Sequence, residues 1–140
     1  MRLAIRADGG LLVIEAQGRF SLKEAKRTFL ELLEAADRHD TGKVLFDGRQ
    51  LSGNPAMMER FYYGAFAAES ALTFARRHPF SAMQFAYILK EPVLDPTRFG
   101  ETVARNRGML VRAFDDLDAA MEWLGRPAAA APDPSDGEEP

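Results

Sequence analysis

The chain has 140 residues, a net charge of −3 and no cysteine. This length suits a single domain, and the lack of cysteine excludes disulfides, thiolate metal sites and cysteine nucleophiles. Residues 126–140 carry four acidic side chains and one arginine, so residues 1–125 are neutral overall. A neutral body lacks the basic face that nucleic-acid binding requires, so we expect no nucleic-acid partner.

The two ends of the chain differ in character. Residues 126–140 hold four prolines and no aromatic residue, so we expect a disordered tail after a domain that spans residues 1–125. The first six residues lack the apolar run of a signal peptide. The longest apolar runs, such as residues 11–14, are far shorter than the roughly 20 residues that span a bilayer. We therefore expect a cytoplasmic protein without stable membrane insertion.

The first half of the domain predicts a hairpin, a helix and a strand. Residues 2–7 alternate in polarity, Asp8-Gly9-Gly10 is a turn signal, and residues 11–16 indicate a buried strand. Ser21 and Glu24 form a capping box before an amphipathic helix over residues 22–38. A strand of five residues, 43–47, and a polar loop that includes Ser52 and Gly53 come next.

The helix that follows carries two apolar stripes. Asn54 predicts its N-cap and Pro55 its first turn, and its pattern covers about residues 55–77. We expect one stripe to meet the sheet (Met58, Phe61, Ala65, Ala68, Leu72). The second stripe lies on nearly the opposite side (Tyr63, Phe66, Ala67, Ser70, Phe74).

The second half repeats the strand and helix pattern. It predicts a strand over residues 82–89, a helix over 96–107, a strand over 109–113 and a last helix capped by Asp115. The fold class is therefore α/β, with a mixed five-stranded sheet and about four helices. The sheet opens with an N-terminal antiparallel hairpin and continues with parallel βα units.

This layout resembles the STAS fold, named for sulphate transporters and anti-sigma-factor antagonists. Residues 45–69 (LFDGRQLSGNPAMMERFYYGAFAAE) look like the middle of the STAS-like family, where an aspartate and an arginine end a strand before a Glu-Arg-aromatic helix. Residues 99–124 look like its closing helix, strand and helix. The resemblance covers about residues 3–124 and implies a regulatory domain that binds another protein.

One departure from the family concerns phosphorylation. Anti-sigma-factor antagonists have an Asp-Ser-Ser/Ala-Gly-type motif at the start of the second helix, and a partner kinase phosphorylates its serine. The matching positions here are Asn54-Pro55-Ala56-Met57, which carry no hydroxyl. Ser52 is nearby but belongs to the predicted loop. The chain therefore resembles a branch that lacks the phosphoserine switch.

The polar candidates for a site lie at the end of the central strand. Asp47 and Arg49 are candidates for binding a polar ligand or for acid–base work if burial shifts the aspartate. The alternative is that Asp47 accepts loop N–H groups while Arg49 pairs on the surface. Ser52 is either a phosphate acceptor near a helix N-terminus or an ordinary loop serine.

The aromatic candidates are Tyr63, Phe66 and Phe74. They either line a groove for an apolar ligand or form a partner or dimer surface. The alternative is core packing, under residues 78–81 or against the helix at 96–107. The only histidines, His39 and His78, stand singly at helix ends, so we expect no metal and no cofactor.

These features favour a non-enzymatic STAS-like interaction domain that binds an unidentified protein partner through the loop at 48–56 and the helix at 55–77. A homodimer through the same helix stays open. The alternative is a carrier of a small apolar ligand or lipid in a groove under the aromatic helix. Polar groups that converge on one place are too few for catalysis.

Overall fold

The computed structural model describes residues 1–78 and 83–125. It confirms the predicted fold class of a mixed five-stranded sheet with four helices. The predicted tail at 126–140 lies outside the described residues, as does the first residue of the predicted strand at 82–89. The elements in chain order are β1 (Arg2–Asp8), β2 (Leu11–Arg19), α1 (Leu22–His39), β3 (Lys43–Ser52), α2 (Met57–Arg76), β4 (Gln84–Ile88), α3 (Phe99–Asn106), β5 (Val111–Phe114) and α4 (Leu117–Trp123).

The strands lie side by side in chain order. β1 pairs with β2 in antiparallel fashion, and every later pair is parallel. Parallel neighbours joined by right-handed crossovers that advance in one direction place their helices on the same face of the sheet. Accordingly α1, α2 and α3 cover one face, while α4 covers part of the other.

Two apolar clusters follow from this arrangement. The larger cluster joins residues of α1, α2 and α3, such as Phe29 and Ala67, to one sheet face with Phe46 and Phe85. The smaller cluster joins α4 to the opposite face, including Leu45, Ile88 and Leu124. Residues 11–14 of β2 are buried on both faces, as the apolar run predicts.

Helix α1 begins and ends as local chemistry dictates. The Ser21 hydroxyl oxygen accepts a hydrogen bond from the Glu24 backbone N–H, which confirms the predicted N-cap. At the other end Asp40 adopts the left-handed conformation with φ 52°, and its N–H returns to the last carbonyls of the helix. These end signals lie within a few residues of the helix, which is why the sequence predicts it well.

Strand β3 is longer than predicted, because residues 50–52 pair with β2 and are not loop. Two residues of β3, Gly48 and Arg49, stand opposite the single Ala16 of β2, which makes a β-bulge. A Cβ on Gly48 would lie 2.7 Å from the Leu89 side chain, so only glycine fits here without displacing it. Ser52 is therefore the last residue of a strand, and its carbonyl accepts from the Phe20 N–H at 2.8 Å.

Three predicted helix starts are wrong by one to three residues. Asn54 does not cap α2, because the N-cap is Ala56, whose N–H donates to the Glu59 carboxylate at 2.8 Å. Asp116, and not Asp115, caps α4. Asp95 accepts from the backbone N–H groups of residues 97 and 99, so it holds a turn that delays the start of α3 to residue 99.

The predicted orientation of α2 is wrong at Met58 and correct at Ala68, which is fully buried. Met58, expected to meet the sheet, is 53% exposed. The buried face of α2 lies between the two predicted stripes. It takes Ala67 from the second stripe and Ala68 from the first, with Gly64 and Ala71 between them, and Tyr63 packs against the larger cluster. The two apolar stripes leave the orientation of the helix open in the sequence pattern, so the tertiary packing decides which residues turn inward.

A pair of glycines brings α2 and α3 into backbone contact. A Cβ on Gly64 would lie 2.6 Å from the Gly100 carbonyl oxygen, closer than such contacts allow. A Cβ on Gly100 would lie 3.2 Å from the Arg60 carbonyl oxygen. The two helices therefore cross at a distance that a side chain at Gly64 would not permit.

Replacing Gly64 by alanine tests this contact. In an unconstrained helix the change would stabilise by about 1 kcal/mol. Here we expect it to lower the free energy of unfolding by about 1–3 kcal/mol, because α2 and α3 must move apart. Urea denaturation of the variant measures the change, with Glu69→Ala on the exposed side of α2 as a control expected within about 0.5 kcal/mol of the parent. A stabilised Gly64→Ala variant would contradict the close contact.

Candidate functional site

A cavity of about 140 Å³ lies between the helix-covered face of the sheet and helices α2 and α3. Its walls are mostly apolar, with Phe46 from β3, Ala67 from α2 and Ala104 from α3 among them. It reaches the carboxyl ends of the parallel strands, where α/β domains usually bind their ligands. The structure therefore offers an apolar space where the fold class predicts one.

Two tyrosines face each other in this cavity. The hydroxyl oxygens of Tyr63 on α2 and Tyr87 on β4 lie 2.6 Å apart and share a hydrogen bond. Tyr87 stacks on Phe46 with a centroid distance of 4.8 Å, and Tyr63 meets Tyr87 edge-on at 6.4 Å. Burial raises the pKa of Tyr63 and of Tyr87, so both hydroxyls stay protonated at neutral pH.

Charged side chains surround the cavity, and they are bonded to other groups of the chain. The Arg60 guanidinium donates to the carbonyl oxygens of Pro92 and Val93, each at 2.8 Å, and ties α2 to the loop after β4. Arg98 donates to the Ala113 carbonyl and pairs with Glu101 at 3.3 Å. These charged side chains hold the walls of the cavity together through bonds to protein groups.

Asp47 and Arg49 form a close ion pair away from the cavity. Arg49 Nε and Nη2 donate to the two carboxylate oxygens of Asp47 at 2.9 and 2.7 Å. These hydrogen bonds hold the pKa of Asp47 below its ordinary value and raise that of Arg49. Strand alternation puts Asp47 on the same face as Leu45, which is the α4 face. The sheet therefore separates this pair from Tyr63.

Tyr63, Phe66 and Phe74 pack mainly against the body of the domain, as the core-packing alternative expects. Phe74 meets His78 of the predicted segment 78–81, whose other residues lie outside the described ones, while Tyr63 and Phe66 contact α1, which was not a predicted neighbour. Tyr63 meets Phe29 of α1 edge-on at 6.3 Å, and Lys26 of α1 lies 5.4 Å from the Phe66 ring centroid. Phe74 stacks on His78 at 3.7 Å. Of the three, Tyr63 lines the cavity.

An exposed apolar surface lies at the start of α2. Among the described residues, Met57, Met58 and Tyr62 are 67%, 53% and 49% exposed. At 100° per residue they fall within about 140° of arc around the helix. The exposed Ser52 and Asn54 lie just before this surface in the chain. We call the surface formed by Met57, Met58 and Tyr62 the α2 patch.

The predicted site residues therefore divide among four places. Tyr63 belongs to the cavity, Asp47 and Arg49 lie across the sheet, and Ser52 and Asn54 lie beside the α2 patch. Asn54 accepts from Arg60 Nη2 at 3.3 Å, which helps to hold the segment before α2. Phe66 and Phe74 support the packing of α2.

Sequence reasoning missed Tyr87 and the glycine contact. A tyrosine within the otherwise apolar run 85–88 is a usable signal, because a buried hydroxyl needs a partner. Gly64 inside a helical pattern is a second signal, since such a glycine usually has a packing reason. Neither signal identifies the residue that will be contacted. Tyr63 and Tyr87, for example, are 24 residues apart in the chain.

Two kinds of site are absent from residues 1–78 and 83–125. No group of three or more His, Asp or Glu side chains there is placed to hold a metal ion. No helix in these ranges is long and apolar enough to cross a membrane.

The sheet order, the helix placement and the α2 segment define a STAS-like domain. Residues 11–125 match the sequence model of the SpoIIAA-like family, and the chain belongs to that family. No curated protein matches the chain in sequence.

Solved structures share the fold at low sequence identity. An anti-sigma factor antagonist from Mycobacterium paratuberculosis is similar with a TM-score of 0.57 and 9% identity, over 89% of this chain and 93% of that one. The NMR structure of the protein TM1081 is similar with a TM-score of 0.55 and 9% identity, over 90% of each chain. At this identity the likeness concerns the fold alone.

The Asp47 ion pair predicts a response to acid. Because the pKa of Asp47 is lowered on folding, the pair stabilises the fold above the ordinary pKa of 3.8. The contribution is lost as the pH falls through the lower folded value. We expect Asp47→Asn to cost about 1 kcal/mol at pH 7, and the difference from the parent to shrink toward pH 2.

Thermal unfolding of both proteins between pH 7 and pH 2 measures this difference. Glu31→Gln breaks the more exposed pair with Arg27 and serves as the control; its effect should be smaller at every pH. A difference between the Asp47→Asn variant and the parent that is constant with pH would contradict the ion pair.

Proposed function

We propose that this chain is a non-enzymatic regulatory domain that binds a protein partner through residues 48–56 and helix α2. The α2 patch carries the proposal. Methionine side chains are flexible and polarizable and suit adaptable binding surfaces, and a cluster of exposed apolar side chains marks an interaction site. The similar structure named as an anti-sigma factor antagonist supports a protein partner for this chain as well.

The proposed domain works without a phosphoserine switch. The α2 start, residues 54–57, has no hydroxyl side chain, and the N-cap is Ala56. Ser52 is held at the end of β3 by its backbone bond to Phe20 and precedes the helix by several residues. Stoichiometric labelling of Ser52 after incubation with ATP and candidate kinases would contradict this part of the proposal.

The proposal that the domain is non-enzymatic is supported by the bonds that its polar groups make within the chain. Asp47 is bound at both carboxylate oxygens by Arg49, and Arg60, Arg98 and Glu101 are bonded to other groups of the chain. General acid–base catalysis needs a titrating group free to reach a substrate. Because these charged groups are already bonded within the chain, a structural role is favoured for them.

Site-specific photocrosslinking tests the protein partner. A photoreactive amino acid at Tyr62 should give a discrete protein adduct in cells, and adding Met58→Lys should lower its yield about tenfold by placing a charge in the interface. Leu30 is the matched control, because it is 47% exposed against 49% for Tyr62. An adduct with a second copy of the chain would identify a homodimer. Equal adducts from both positions, or none from Tyr62, would contradict the proposed surface.

A carrier of a small apolar ligand is the second candidate, and the cavity favours it. Ligand sites are concave and mostly apolar with a few placed polar groups, and the space around Tyr63 and Tyr87 has this character. Native mass spectrometry of freshly purified protein checks it. A reproducible extra mass that is lost on denaturation supports the carrier, while a bare chain from several preparations contradicts a tightly held ligand.

A further inference from the structure

One hydroxyl proton of the tyrosine pair in the cavity has no acceptor among the described protein groups. Two phenols carry two O–H protons, but Tyr63 and Tyr87 share a single hydrogen bond in which either oxygen can donate. Within residues 1–78 and 83–125, neither hydroxyl makes another hydrogen bond. Tyr87 is only 8% exposed and Tyr63 is partly buried, so the remaining proton lies at the mostly apolar lining of the cavity. A buried donor in that state is unfavourable unless an acceptor reaches it.

The size of the cavity limits what the acceptor can belong to. An engineered apolar cavity of about 150 Å³ in another protein holds benzene, and this cavity measures about 140 Å³. A compact ring fits inside this volume, whereas a long acyl chain would extend out of it.

The surrounding charges also restrict the ligand. Arg60 is bonded to two carbonyl oxygens of the loop after β4, and Arg98 to a carbonyl of β5 and to Glu101. Asp95 accepts from the hydroxyl of Thr97 and from the Phe99 N–H. A charged ligand would have to displace these bonds, so the cavity suits a neutral molecule.

We propose that the cavity binds a compact neutral molecule of about the size of benzene whose oxygen accepts the remaining proton of the Tyr63 and Tyr87 pair. The ligand class is thus small ketones, aldehydes, ethers or lactones with a carbon ring. This inference rests on the carrier function proposed above and specifies its ligand.

Two probes of equal shape test the acceptor. Cyclohexanone has a ring and an acceptor oxygen, and methylenecyclohexane replaces that oxygen by a CH₂ group. Each is titrated into isotope-labelled protein while NMR follows the lining residues Ala67 and Ala104. We expect both probes to shift these signals and cyclohexanone to bind about tenfold more tightly, as one hydrogen bond provides.

Phenylalanine variants identify the donor. In Tyr63→Phe or Tyr87→Phe the remaining hydroxyl keeps its proton, so each single variant should still prefer cyclohexanone. The double variant Tyr63→Phe/Tyr87→Phe removes both protons. It should bind the two probes equally and still fold, because replacing both partners of a buried hydrogen bond is nearly neutral.

The other outcomes separate this inference from the carrier function. If the parent protein binds the two probes equally, the claim that the ligand carries an acceptor oxygen is overturned, while an apolar carrier remains. A stoichiometric long-chain lipid that copurifies, together with no response to cyclohexanone, overturns the compact ligand but keeps the carrier. A lack of binding by either ring, with no copurifying mass, overturns both.

Discussion

The close crossing of α2 and α3 at Gly64 and Gly100 is the contact on which the rest of the structure depends. Because a Cβ on Gly64 would lie 2.6 Å from a carbonyl oxygen of α3, the two helix backbones touch directly. This contact brings Arg60 within 2.8 Å of the carbonyl oxygens of Pro92 and Val93. It also places Tyr63, the residue before Gly64, opposite Tyr87. The glycine pair thus determines how α2 covers the cavity and where the Tyr63 hydroxyl points.

Helix α2 serves the two proposed functions with its two faces. Its inner face presents Tyr63, Gly64 and Ala67 to the cavity, and its outer face presents Met57, Met58 and Tyr62 to solvent. A helix that is apolar on both sides contacts the core and something further. A ligand in the cavity would therefore lie beneath the surface that we propose for a protein partner, so the two proposals concern one element and not two separate sites.

The separation of Asp47 from Tyr63 shows why nearness in the sequence misleads at a sheet. Neighbouring residues of a strand point to opposite faces, so the residues after Phe46 divide between the cavity side and the α4 side. The bulge at Gly48 and Arg49 turns Arg49 back onto Asp47. Asp47 and Arg49 look like the polar part of a site in the sequence but bond to each other as an ion pair. The cavity instead receives a polar group from β4, the hydroxyl of Tyr87.

The sequence by itself determined the order and type of the nine elements within residues 1–78 and 83–125, the Ser21 cap and the fold class. Each of these depends on residues a few positions apart, whose chemistry is local. Only the tertiary structure decided the extension of β3, because that extension requires pairing with β2. It also decided which residues of α2 turn inward and formed the cavity. Both depend on contacts with Gly100 and Tyr87, which are distant in the chain, and local periodicity contains no information about them.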